Sequence, residues 1–285
     1  MEIKKVGVIG GGTMGAGIIQ VAAQSGFDVV FKETNEAFIE KAIATVAKFI
    51  DKKVVKGKIT AEERDAIMDR IRGTLDFEDL ADRDIIIEAV PEKLEIKQSV
   101  FKELDRVTRP DTILCTNTSG LSITEIASVT QKKDKVIGMH FFSPVPAMKL
   151  VEVIKGGCTS EETCEIVMET ARAFGKDPVK AAEAPGFIVN RMLDPILNEA
   201  VAILAEGIAS AEDIDKAMRL GANHPMGPLE LGDMEGLDIC VASLETMYRE
   251  TGMLKFKPHP LLVKMVRSGK LGIKTGEGFY KYNQD

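Results

Sequence analysis

Two hydrophobic periods run along this chain, and the change between them organises everything else. Residues 4–10 (KKVGVIG) form a short apolar run ending in glycines, the pattern of a buried strand. Residues 13–26 follow as a helix and 28–34 (DVVFKET) as a second strand. A long amphipathic helix comes next, with Phe38, Ala42, Val46, Phe49 and Ile50 on one face. Thr60 and Glu63 have the spacing of a capping box and open a further helix. Residues 84–90 (DIIIEAV) and 112–116 (TILCT) are strand candidates, and 122–129 is a short helix with its own S-x-x-E box. Two more strands are expected at 135–142 and 149–155. Strands alternating with helices predict a parallel α/β sheet. The alternation stops near Pro185-Gly186, and helical periodicity then covers roughly 187–206, 210–220, 228–251 and 259–268. The fold class is therefore α/β, with an N-terminal α/β domain over 1–185 and a mostly helical C-terminal domain over 186–285.

Composition narrows the field. Of 285 residues, 28% are charged and 45% hydrophobic, as in a soluble globular protein. The net charge of −7 argues against a broad basic surface for nucleic acid. No apolar run reaches bilayer-spanning length, and the first strand begins too early for a signal peptide, so no membrane partner and a cytoplasmic or matrix-like location are expected. Cys115, Cys158, Cys164 and Cys240 form no CxxC pair and no zinc-spaced cluster with the three histidines, so no metal is expected and reduced structural thiols are the default.

The first turn carries chemistry. Gly10-Gly11-Gly12-Thr13-Met14-Gly15 matches G-x-G-x-x-G and lies between a strand and a helix, the context that motif requires for a Rossmann-type dinucleotide site. Glycines at Gly10, Gly12 and Gly15 let the turn close and the backbone approach a pyrophosphate. Thr13 and Met14 then open a helix whose free N–H groups and positive end face the phosphates. Glu33 lies 23 residues after Gly10 at the expected end of the second strand. A carboxylate there accepts from the adenosine ribose hydroxyls and repels a 2′-phosphate, which favours NAD over NADP. The adjacent Lys32 keeps NADP open as the second cofactor. Without a ligand the same segment reads as a glycine-rich turn.

His140 lies near the end of a candidate strand, where ligands meet an open α/β sheet. Glu152 sits on the next strand among apolar neighbours, a position that is costly for a carboxylate unless it is paired. His140 is its nearest candidate partner. Taking a hydride from a secondary alcohol requires a base for the hydroxyl proton. Imidazole, with a reference pKa of about 6.5, serves in both directions. A carboxylate on the other ring nitrogen fixes the tautomer and stabilises the imidazolium. The same two residues also read as a satisfied structural histidine beside a solvated strand-end glutamate.

Taken in order, 8–15 (VIGGGTMG), 87–92 (IEAVPE), 116–119 (TNTS), 138–153, 184–191 (APGFIVNR), 223–228 (NHPMGP) and 276–280 (GEGFY) resemble the 3-hydroxyacyl-CoA dehydrogenase family over nearly the whole chain, most closely its bacterial 3-hydroxybutyryl-CoA dehydrogenases. The resemblance implies NAD(H)-dependent interconversion of (S)-3-hydroxyacyl-CoA and 3-ketoacyl-CoA, with a short acyl group and an acyl-CoA partner. It makes His140 the general acid/base and Glu152 its partner. Ser119 is then a hydrogen-bond donor to the substrate's 3-oxygen, and Asn190 a second contact holding the reacting end across a domain cleft. Alone, Ser119 reads as a turn residue and Asn190 as a first-turn helix residue. Glu92, Lys97 and Asn117 match family positions that approach the nicotinamide. Lys52 and Lys56, sharing a helix face in a locally basic stretch with Lys53 and Lys58, resemble the residues that meet the CoA phosphates. In the family the helical domain supplies a contact between two copies, so a homodimer is expected.

Three positions depart from the family pattern. Gly120 replaces a frequent second serine, Ser143 a frequent asparagine, and Glu33 the usual aspartate. None removes the acid/base pair. Two other readings stay open: an NAD-dependent dehydrogenase of a free hydroxy acid or sugar acid, which would not need the CoA lysines, and a non-catalytic NAD-binding protein.

Overall fold

The computed structural model describes residues 2–282, which divide into two compact units meeting in sequence at Glu183 and Ala184. The first contains β1 (Lys5–Ile9), α1 (Thr13–Gln24), β2 (Asp28–Lys32), α2 (Glu36–Val55), α3 (Ala61–Met68), β3 (Ile71–Thr74), β4 (Ile85–Glu88) and α4 (Leu94–Val107). It continues through β5 (Ile113–Thr116), α5 (Ile123–Ala127), β6 (Val136–Phe141), β7 (Leu150–Lys155), α6 (Glu161–Ala173) and β8 (Asp177–Ala182). All eight strands join one sheet in the order β3-β2-β1-β4-β5-β6-β7-β8.

Every neighbouring pair is parallel except β6–β7, which is antiparallel. The sheet is thus mostly parallel, as the alternation of strands and helices predicts, with β6–β7 the one antiparallel pair. The central strands are apolar on both faces, as helices covering both sides demand: Val6, Val8, Ile85, Ile86, Ile87, Ile113, Leu114, Val136 and Ile137 are all buried. Strand order reverses between β1 and β4, leaving a crevice at the carboxyl ends of these two strands where open α/β sheets bind ligands.

Two strands and two helices escape the sequence pattern. β3 (IRGT) and β8 (DPVKAA) are the sheet's edges, and β8 is polar and mostly exposed, so neither needs an apolar run. α4 and α6 are amphipathic helices in crossover positions. The expected face of α2 is also rotated. Ile39, Ala42, Val46 and Ile50 form its buried stripe, whereas Phe38 and Phe49 are about half exposed.

The second unit is helical: α7 (Val189–Ala205), α8 (Ala211–Gly221), α9 (Pro228–Glu235), α10 (Leu237–Thr251) and α11 (Pro260–Arg267). Its core gathers Leu197, Val201, Leu229, Leu237, Leu244, Met247, Phe256 and Leu262. The single helix expected over 228–251 is two helices, because Gly236 takes φ 105°, a conformation no helix interior allows. Two buried aspartates organise the unit. Asp215 accepts from the Leu229 and Glu230 N–H groups at the start of α9. Asp233 accepts from the Phe279 and Tyr280 N–H groups and the Tyr282 hydroxyl. A Cβ on Gly278 would lie inside the Asp233 carboxylate, so the GEGFY segment is read here as a structural latch.

Candidate active site

The glycine turn separates glycines that the fold needs from one it does not. Gly10 has φ 91°, and a Cβ there would come within 2.9 Å of the Ala89 carbonyl oxygen. A Cβ on Gly15 would sit 1.8 Å from the Gly10 carbonyl oxygen, and one on Gly11 would sit 2.6 Å from Ala42 Cβ. Gly12 differs. Its φ of −63° suits any residue, and a Cβ there would meet nothing within 4 Å. Packing does not call for glycine at Gly12, but close approach of another group to this backbone does. α1 also begins at Gly12 without a side-chain cap, which suits an anion at its N-terminus. Thr13 is exposed and Met14 half-buried in that first turn. These features fit a dinucleotide pyrophosphate.

Glu33 follows β2 and folds back toward the turn, its Oε1 accepting from the Gly11 N–H at 2.5 Å and its Oε2 from the Thr34 N–H at 3.0 Å. The longer side chain that replaces the usual aspartate thus reaches the glycine loop itself. Lys32, the neighbour that kept NADP open, directs its ammonium over the Phe77 ring, 4.4 Å from the centroid.

His140 and Glu152 are directly paired residues of the antiparallel β6–β7 ladder. His140 Nδ1 and Glu152 Oε2 are 2.8 Å apart, and both side chains are almost fully buried. The Glu152 carboxylate among Val151, Val153 and Ile154 is thereby paired rather than solvated. Phe142 packs its ring at 4.5 Å from the imidazole centroid. Asn117 lies at the end of β5, and its Oδ1 accepts from the Phe141 N–H at 2.8 Å, fixing the strand end beside His140.

Ser119, Glu92 and Lys97 converge at the carboxyl ends of β4 and β5. Glu92 accepts from the Thr118 hydroxyl and, through Oε1, from the Ser119 N–H at 2.9 Å. Its Oε2 is 3.2 Å from Lys97 Nζ. Lys97 is buried, and its ammonium bonds Glu88 Oε1 at 2.8 Å. Glu88, which the sequence pattern presents only as a strand residue, is fully buried. The isolated carboxylate in an isoleucine-rich strand was the signal that could have singled it out.

Lys52 and Lys56 remain exposed at the end of α2, and with Lys48 they line a shallow groove with Ala44, Ala47, Asp51 and Val55. Lys53 turns inward to Gln24 Oε1 at 2.9 Å, and burial and the Lys58 charge lower its pKa. Asn190 lies half-buried in the first turn of α7, in the second unit. The buried thiols of Cys115, Cys164 and Cys240 are pushed up by burial, which disfavours the reactive thiolate. Among the described residues, no helix is long and apolar enough to cross a membrane.

Comparison with known proteins places this geometry. The family model for the NAD binding domain of 3-hydroxyacyl-CoA dehydrogenase matches residues 5–184, and that for the C-terminal domain of the same enzyme matches 186–282. A 3-hydroxybutyryl-CoA dehydrogenase of Clostridioides difficile is 54% identical over 98% of this chain and 100% of that protein. The human mitochondrial hydroxyacyl-coenzyme A dehydrogenase is 44% identical over 98% of this chain and 91% of that protein. The crystal structure of an (S)-3-hydroxybutyryl-CoA dehydrogenase from Ralstonia eutropha superposes with a TM-score of 0.97 at 44% identity, covering 99% of this chain and 100% of that one.

Proposed function

The chain belongs to the 3-hydroxyacyl-CoA dehydrogenase family, and from that premise we propose that it interconverts (S)-3-hydroxybutyryl-CoA and acetoacetyl-CoA with NAD(H). It is an NAD-dependent oxidoreductase with a Rossmann-type domain. The observation that carries the residue assignment is the buried His140–Glu152 pair, 2.8 Å apart at the carboxyl edge of the sheet.

Bound NAD(H) would supply or accept the hydride. Gly12 and the N-terminus of α1 hold its pyrophosphate, and Glu33, whose carboxylate has acceptor sites beyond those on the Gly11 and Thr34 amides, meets the adenosine ribose. Glu92, Lys97 and Asn117 stand near the nicotinamide end. His140 exchanges a proton with the 3-oxygen of the substrate, acting as base on the alcohol and as acid on the ketone. Glu152 holds the imidazole by Nδ1, so that Nε2 is the nitrogen that handles this proton, and stabilises the imidazolium once it forms. The Ser119 hydroxyl donates to the same oxygen, favouring the negative charge that develops there, and Asn190 is a further contact of the substrate. Lys52 and Lys56 meet the CoA phosphates with point charges.

Two copies are proposed to associate through the helical unit. That unit exposes the apolar side chains of Met192, Ile208, Leu220, Met234 and Ile239, which such a contact could cover. A cytoplasmic location is part of the same proposal.

The test follows NADH and NADPH absorbance on adding acetoacetyl-CoA, with wild type and His140→Ala side by side. NADH oxidation that falls at least about a hundredfold in the variant is expected. Preference for NADPH overturns the role of Glu33, and no turnover with either cofactor overturns the substrate.

A further inference from the structure

A fully buried carboxylate lies one layer beneath the residues just assigned, bonded to the buried Lys97 ammonium, and it does not belong to the proton-transfer pair. Glu88 ends β4 and is opposite Thr116, the last residue of β5, in the parallel ladder. Its Oε2 accepts from the Thr116 hydroxyl at 2.7 Å, and its Oε1 from the Val90 N–H at 2.7 Å and from Lys97 Nζ at 2.8 Å. Lys97 stands in the first turn of α4, and its ammonium is shared between Glu88 and Glu92 Oε2. Glu92 turns its other oxygen to the Ser119 N–H and the Thr118 hydroxyl. The result is a chain of charge-assisted hydrogen bonds and one ion pair, Lys97–Glu92, from the sheet interior to the backbone of Ser119.

Stability alone is a poor reason for this arrangement. Taking a carboxylate and an ammonium out of water costs several kcal/mol each, and well-packed apolar residues of similar volume often replace such a pair at no loss. What the pair does supply is placement. Glu92 is about half exposed and would otherwise sample many rotamers. Anchored by Lys97, it presents one oxygen to Ser119. Lys97 in turn is anchored by a Glu88 that accepts three hydrogen bonds and has no freedom to turn.

We propose that Glu88 is a positioning residue for the carbonyl–alcohol chemistry, acting through Lys97 and Glu92 to hold Ser119 where its hydroxyl meets the substrate's 3-oxygen. This rests on the role given to Ser119 above. Glu88 touches neither substrate nor cofactor, so its effect must pass through Ser119 and must disappear when the Ser119 hydroxyl is absent.

The experiment is a double-mutant cycle on acetoacetyl-CoA reduction by NADH, with Glu88→Gln and Ser119→Ala singly and together. Glutamine keeps the length and an acceptor oxygen for the Val90 N–H, turns its amide N–H to the Thr116 hydroxyl oxygen, and removes the charge that orients Lys97. Glu88→Gln is expected to lower kcat at least fivefold in the wild-type background and less than twofold in the Ser119→Ala background. A fall below fivefold in a folded variant overturns the proposal. So does an equal fall in both backgrounds, which would mark Glu88 as a general structural residue. Circular dichroism and the thermal midpoint report folding. If Glu88→Gln does not fold, Glu92→Gln, at the half-exposed end of the line, takes its place under the same two criteria. Failure of the wild type to turn over acetoacetyl-CoA would instead count against the function proposed above, so the two failures are distinct.

Discussion

Replacing Glu152 with glutamine removes one charge and keeps the length and volume of the side chain. The side chain is 1% exposed, lies directly across the ladder from His140, and contacts Nδ1 at 2.8 Å. Glutamine fills the same volume and still offers an oxygen to the ring N–H. What is lost is the difference between a charged and a neutral acceptor facing the imidazolium that forms when His140 takes the substrate's proton. A hydrogen bond to a charged group contributes about 1.5–3 kcal/mol, against about 1 for a neutral one. Burial of both partners places this pair toward the upper end of that range. A loss of about 1.5–2 kcal/mol corresponds to roughly 10–30-fold in kcat, at about 1.4 kcal/mol per tenfold. The assay is initial-rate oxidation of NADH by acetoacetyl-CoA. KM for acetoacetyl-CoA should move less than about threefold, because the charge matters only once the proton has begun to transfer. The second arm is the His140→Ala background, where Glu152 no longer has an imidazole to act on. There the glutamine substitution should change kcat by less than twofold. Retention of more than a third of wild-type kcat by Glu152→Gln would refute the reasoning. So would a loss equally large without His140, since Glu152 would then act on the fold rather than through the ring.

Further expectations follow from the turn, the ribose site and the helical unit. Gly12→Ala should leave the thermal midpoint within about two degrees yet raise KM for NADH at least about tenfold, because its Cβ meets no protein atom. Gly15→Ala should destabilise the chain by more than about 3 kcal/mol in urea titration, because its Cβ would overlap the Gly10 carbonyl. Glu33→Ala should raise KM for NADH and narrow the preference over NADPH by about tenfold or more; an unchanged cofactor ratio would remove Glu33 from the ribose site. Burial raises the Asp194 carboxyl to about 7. The folded chain therefore holds that proton more tightly than the unfolded one, and stability falls as pH climbs from about 4 to about 7. Asp194→Asn keeps the acceptor for the Ser243 hydroxyl, so its thermal midpoint should gain more at about pH 8 than at about pH 5; equal shifts at both would contradict this.

Which parts of the site the sequence discloses depends on what kind of constraint each residue answers to. The glycine turn is legible because its context, a strand before and a helix after, is local. The two-unit organisation is legible because hydrophobic period changes where the units meet. Edge strands are not, because a strand with one open side carries no obligatory apolar run, and β8 shows that in Pro178 and Lys180. The stripe of α2 is misplaced by phenylalanines, whose hydrophobicity outweighs a phase that Ile39, Ala42, Val46 and Ile50 keep better. Glu88 is missed for a different reason. Glu88 in DIIIEAV reads as the strand's polar end, and only the packing of α4 against that end shows it to be buried against Lys97.

The His140–Glu152 pairing is an intermediate case, and the chain contains more information about it than residue chemistry uses. Residues 142–149 alone connect β6 to β7. A parallel return would have to carry the chain back along the full strand, which takes a dozen residues or more and usually a helix. Eight residues containing Pro144 and Pro146 cannot do that, so β7 must run antiparallel to β6. Once it does, opposed residues have position numbers with a constant sum, and the observed partners Phe141 and Val151 fix that sum. His140 then faces Glu152 and no other residue of β7. A slip of one residue would send His140 and its acid to opposite faces of the sheet. The short loop therefore sets the antiparallel direction, and the ladder register then places Glu152 opposite His140. Inserting one residue between Phe142 and Lys149 should leave activity nearly intact if the loop absorbs it. If instead the ladder slips by one, activity should be abolished.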